Sequence, residues 1–173
     1  MKLLEIWIAQ EDFDDPDPEG MVLGVGGFAS WAMDDCGLEP GDFPEAALQS
    51  YWADRYLSEV MNGGHKQFAR NTGLSPEAMI NTERGLEVIG DAQALATFRR
   101  FKTFVADAAA ARALMDDADY RNKSEAIREI DGQSPDIEDV RVRHAAWLRT
   151  LPNLKVMPAE KLEEKMLAFE QAL

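Results

Sequence analysis

The chain has 173 residues, enough for one domain that buries about two-thirds of the surface its unfolded form exposes. Forty-six percent of the residues are hydrophobic, which argues against disorder, and no apolar run approaches the ~20 residues of a membrane span. A net charge of −14 argues against direct binding to nucleic acid or to an anionic membrane, because like charges repel.

The charge is unevenly placed. Residues 1–60 hold fourteen acids and two bases, Lys2 and Arg55, whereas residues 61–173 hold eighteen acids and sixteen bases. The opening segment MKLLEIWIAQEDF has one lysine, an apolar patch broken by Glu5 and no small-residue cleavage site. It reads as a poor signal peptide. The lone cysteine, Cys36, cannot form an internal disulfide. Both observations point to a reducing, cytoplasmic setting. Cys36 itself reads as a small buried apolar residue. EDFDDPDPEG, residues 11–20, has six acids, two prolines and no base, and reads as an exposed loop. MVLGVGGFASWAM, which follows, is apolar all round and fits either a buried helix or a strand.

From Pro44 the pattern becomes helical. Leu48, Trp52, Tyr56 and Val60 repeat at i, i+4 and form one apolar stripe. Ser75-Pro76-Glu77 is a helix start, and Gly90 a stop. Asp91 caps the next helix, with Leu95, Phe98, Phe101 and Val105 inward. An alanine-rich segment from about 106 is followed by a helix over about 119–130 with Tyr120, Ile127 and Ile130 inward. A further helix carries Ile137, Val140, Trp147 and Leu148. Pro158 opens a terminal one whose Leu162, Met166, Phe169 and Leu173 share a face, as core or as a homodimer seam. The expected fold is an all-α, compact, multi-helix single domain over 1–173, with an acidic, loop-rich part at 1–43.

Between the helices lies NGGHKQFARN, residues 62–71. Asn62, Gly63 and Gly64 suit a left-handed helix stop, and Asn71 to Gly73 suit a second. The stretch reads as a tight corner plugged by Phe68. The amides of Asn62, Gln67 and Asn71 are expected to bond backbone groups left open at the helix ends. The other reading is a small polar pocket, with His65 as a general base. The box N-G-G-x-x-Q-F-x-x-N after an aromatic-rich helix, followed by a helix ending in Ile89-Gly90, resembles the bacterial DNA-mimic protein family over residues 44–105. It departs at His65 and Ala69, where family members commonly carry aromatic or large apolar residues. The resemblance implies an all-helical fold. It also implies an acidic, dimeric protein that imitates duplex DNA and occupies the DNA-binding surface of a transcription factor.

Duplex DNA presents one charge per ~1.7 Å of axis, and acids four apart on a helix sit ~5–6 Å apart. Asp35/Glu39, Glu83/Glu87 and Glu160/Glu164 fit that spacing if each pair is helical. The candidate binding residues are Asp12, Asp14, Asp15, Asp17, Glu19, Asp34, Asp35 and Glu39. The expected partner is a basic protein, in the sharpest reading a DNA-binding protein. The plainer reading is that these acids only confer solubility, as in acidic proteomes of salty habitats. No metal or cofactor is expected. Asp12 to Glu19 breaks the alternation of a calcium loop, and His65, His144 and Cys36 lack ligand spacing. Leu23 to Phe28 lacks the phosphate-binding pattern, so close backbone packing explains its glycines better. No nucleophile elbow is present. The expectation is a non-enzymatic binding protein.

Overall fold

A computed structural model of the chain describes residues 2–116 and 123–173. The fold is all-α with one two-stranded parallel sheet. In chain order, β1 (Ile6–Ala9) leads into α1 (Gln10–Asp14) and α2 (Pro18–Ser30), which continues as a π-helical turn at Trp31–Asp35. Then come α3 (Glu45–Gly63), α4 (His65–Thr72), α5 (Pro76–Ile89), α6 (Ala92–Val105) and α7 (Ala108–Asp116). α8 (Glu125–Asp131), α9 (Ile137–Arg149), β2 (Leu154–Met157) and α10 (Ala159–Glu170) complete it. Tyr120, expected to face inward, lies outside the described residues. No helix among the described residues is long and apolar enough to cross a membrane.

Two compact units are present. The first comprises the residues up to Tyr51 with Arg141–Leu173, and the second is Trp52–Val140, so the division falls within α3 and within α9. In the first unit β1 and β2 pair in parallel with Ile6 opposite Leu154 and Ala9 opposite Met157. All four β1 residues are buried. Trp7 packs edge-on against Phe28 and Phe169, and Trp31 joins them at 5.8 Å from Trp7. Lys165 lies 4.2 Å over the Trp7 ring.

The acidic segment is not the loop expected from its composition. Residues 10–14 form a helix, and only Asp15 to Asp17 separate it from the next. Asp15 accepts from the Asp17 amide at 2.9 Å, and Asp17 caps α2 by accepting from the Glu19 amide at 2.9 Å. Pro18 sits in the first turn, where its missing N–H costs nothing. MVLGVGGFASWAM is therefore the buried-helix alternative. Two glycines of α2 admit α1 and its C-cap: a Cβ on Gly20 would lie 2.7 Å from the Asp15 side chain, and one on Gly24 would lie 2.9 Å from the Asp12 carboxylate. The description of residues 1–43 as loop-rich is thus corrected, because local capping and close helix packing outweigh polarity. Cys36, expected to be buried, is half-buried at the end of the π-helical turn.

The second unit is built around rings. Tyr56, Phe68, Phe98 and Phe101 are all essentially inaccessible, and Tyr56 meets Phe98 edge-on at 5.0 Å between centroids. The helix ends follow the expected signals. Ser75 accepts from the Ala78 amide, Asp91 from the Ala94 amide, and Gly90 closes α5 in the left-handed conformation.

Candidate functional site

The corner between α3 and α4 joins groups far apart in sequence. Gly64 has φ 80° and ψ −175°, a conformation that is essentially glycine-only. The Asp131 carboxylate and Lys123 Nζ occupy the space a Cβ would take. The backbone can therefore present His65 directly to α8. The His65 amide donates to Asp131 Oδ1 at 2.9 Å, and its Nδ1 lies 2.7 Å from the same oxygen. On the other side Nε2 lies 2.8 Å from the Tyr56 hydroxyl. Lys123 donates to Asp131 Oδ2 at 2.6 Å. With Asp131 ionised, Nδ1 carries the proton, and in the neutral ring Nε2 accepts from Tyr56. Burial alone would raise the Asp131 pKa, but hydrogen bonds from the His65 side chain and backbone and from Lys123 hold it below the ordinary carboxylate value. Tyr56 is pushed upward, by burial first and then by the Asp131 charge.

The remaining corner residues act differently from expectation. Gln67 and Asn71 do not bond open backbone groups at the helix ends. Both amides converge on Glu59 Oε2, at 2.5 and 2.8 Å, because one turn of α4 lies beside the end of α3. Gln67 also crosses the face of Gly63, where a Cβ would collide with it. Phe68 is fully buried, as expected of a plug. Asn62 is exposed and lies outside this network. His65 is 0% exposed with a partner on each ring nitrogen, so a substrate has no approach to either.

A family model for DMP19-like proteins matches residues 41–151. The chain belongs to the DMP19-like protein family. No curated protein and no solved structure matches it. The DMP19-like segment extends the resemblance from 44–105 to include all of α3 through α9, and so contains the whole Tyr56–His65–Asp131–Lys123 network. All eight candidate acids lie outside it.

Those acids fall into two groups. Asp12, Asp15 and Glu19 are half-buried. Burial, with the Asp15 charge, raises the Asp12 pKa, while Glu19 pairs with Arg141 at 3.0 Å. Asp14, Asp17, Asp34, Asp35 and Glu39 are exposed. Asp14 accepts from Gln10 at 2.8 Å and Asp34 from Ser30 at 2.7 Å, so both are steadied within their own elements. Asp35 lies near Cys36, whose thiol is pushed up by burial and then by the Glu170 and Asp35 charges.

Of the three pairs at helical spacing, Asp35/Glu39 is not one, because Glu39 lies beyond the π-helical turn. Glu83 and Glu87 are on α5, but Arg99 bridges both at 2.7 and 2.9 Å, and Lys102 reaches Glu83 at 2.6 Å. These bonds lower the Glu83 pKa and neutralise the pair. Glu160 and Glu164 are both exposed on α10, with Lys161 on Glu164 at 3.0 Å.

His144 is fully buried, with Nε2 2.8 Å from the Ser50 hydroxyl. Burial, and then the Arg141 charge, pushes its pKa down to about 3, so the ring is neutral. Among the described residues no group of three or more His, Cys, Asp or Glu could hold a metal ion.

Proposed function

We propose that this DMP19-like chain acts by binding a basic macromolecule through the acidic surface of its first unit, and that the partner is a DNA-binding protein whose DNA it displaces. The observation that carries the reading is where the excess negative charge lies. The first unit has sixteen acids against seven bases. Its exposed candidate acids Asp14, Asp17, Asp34 and Asp35 stand on helices or helix caps, and Glu39 follows in the loop after them. Fixed carboxylates attract a basic surface and also hold a register, which mobile ones do not. On α5 of the second unit, by contrast, arginine and lysine already satisfy Glu83 and Glu87. Membership of a family of DNA mimics supports the choice of partner.

The role is proposed to be non-enzymatic. The enclosed His65, with both nitrogens engaged, supports a structural corner over a catalytic one. The test is capture of basic DNA-binding proteins by the immobilised chain at 0.1 M and 1 M salt, where the screening length falls from about 10 Å to about 3 Å. Capture is expected to fade at high salt and in a variant carrying Asp14→Asn, Asp34→Asn, Asp35→Asn and Glu39→Gln. Capture that survives both changes overturns the reading.

A further inference from the structure

Buried polar atoms without a partner are rare, because each has given up its hydration for nothing. Two of them stand on α9. His144 is 0% exposed, and the Nδ1 of its ring has no hydrogen-bond partner among the described residues. The Nε of Arg141 is also shut off from solvent and also lacks one. The two residues are three apart on the helix, which puts their side chains on one face. The Arg141 charge is felt at the ring, as that spacing requires.

Ser50 on α3 decides where the ring proton sits. Its hydroxyl lies 2.8 Å from Nε2 and has no other hydrogen-bond partner among the described residues. If Nε2 donated, the hydroxyl hydrogen would be left inside the protein without an acceptor. Ser50 therefore donates, Nε2 accepts, and the neutral ring carries its proton on Nδ1. The ring N–H and the Arg141 Nε–H are then two buried donors in need of an acceptor. Glu19 already meets the Arg141 guanidinium at 3.0 Å, so the acceptor they lack is a neutral one and not an anion. A water oxygen accepts two hydrogen bonds, and its hydrogens can turn to the second lone pairs of helix carbonyls. Internal waters commonly make about three hydrogen bonds to groups that are otherwise unsatisfied.

We propose that one internal water molecule binds against α9, accepting from His144 Nδ1 and from Arg141 Nε. It completes a chain from Ser50 through His144, the water and Arg141 to Glu19, which links α3, α9 and α2 within the first unit. Glu19, one of the candidate acids, is the outer end of that chain.

The experiment is nuclear magnetic resonance on the full unaltered chain, isotope-labelled at the histidine ring nitrogens. Near neutral pH their shifts should report a neutral His144 protonated on Nδ1. That ring proton should give a cross-peak to water with the sign of a bound molecule and not of a passing one. Crystals of the same chain soaked in bromide should show one oxygen-sized peak within hydrogen-bond distance of both nitrogens, without anomalous signal. A proton on Nε2, no cross-peak to water, no density between the two nitrogens, or a bromide ion in that place would each overturn the proposal.

Discussion

Asp131→Ala removes the acceptor of three hydrogen bonds at once, from the His65 amide, His65 Nδ1 and Lys123. The two His65 donors are then left inside the protein, each costing about 1–3 kcal/mol. Lys123 loses its ion pair where its side chain is 21% exposed. Breaking one side of a buried pair costs about 3–5 kcal/mol, and this overlaps with the donor losses, so the whole effect is about 3–5 kcal/mol. A chain of this length loses about 2–4 °C of Tm per kcal/mol, which gives a fall of roughly 6–20 °C. Asp131→Asn keeps an oxygen for the His65 amide but loses the charge, so it should cost distinctly less. The assay is urea unfolding followed by far-UV circular dichroism, with thermal melts alongside. The pH dependence provides a check of sign. The native pKa of Asp131 is depressed, so its contribution is present above the unfolded value of about 3.9 and is lost as pH falls through the native one. The Asn variant should lack that part of the acid loss. An Ala cost below about 1 kcal/mol, the range of an ordinary surface change, would refute the idea that the network holds the corner.

Three further outcomes are expected. Gly64→Ala forces a side chain into a glycine-only conformation, at about 1–3 kcal/mol, and displaces Lys123 and Asp131, so thermal melts should show a loss at the upper end of that range or beyond. Asp17→Ala removes the cap of α2 and should cost about 1 kcal/mol in urea unfolding, which separates its structural role from any partner role. His144 protonates in the unfolded chain near pH 6.5 but in the folded one only near about pH 3, so stability falls on acidification between those values, by up to about 1.4 kcal/mol per pH unit. His144→Gln should flatten that part of a stability-against-pH curve.

What the sequence revealed and what it hid follow from range. The helices from residue 44 onward carry local signals: the Leu48-to-Val60 stripe, the Ser75 and Asp91 caps and the Gly90 stop all act within a few residues, and each appears where expected. Phe68 as the plug of the corner was legible for the same reason. Asp131, 66 residues from His65, carried no local mark beyond its place in an Asp-Gly break. Glu59 carries no local mark in the sequence, although it gathers both Gln67 and Asn71. β1 and β2 are each four residues long, too short for a periodicity, and their pairing partners are about as distant as the chain allows. The acidic segment misled because composition was weighed above capping: the aspartates that suggest a loop are the residues that cap and turn the helices there. Glu83/Glu87 and Glu160/Glu164 were legible as helical pairs and Asp35/Glu39 is not one, while Arg99 and Lys102 on the neighbouring α6 were not visible as the partners of Glu83 and Glu87.

The central claim is that the exposed carboxylates of the first unit compete with DNA for a basic protein surface. The most direct measurement takes a DNA-binding protein captured by this chain, loads it with fluorescent duplex DNA, and follows the anisotropy as the chain is added. The account predicts release of the duplex, with a potency that falls as salt rises and falls further in the Asp14, Asp34, Asp35 and Glu39 variant. A duplex that stays bound while the chain joins the complex would contradict it.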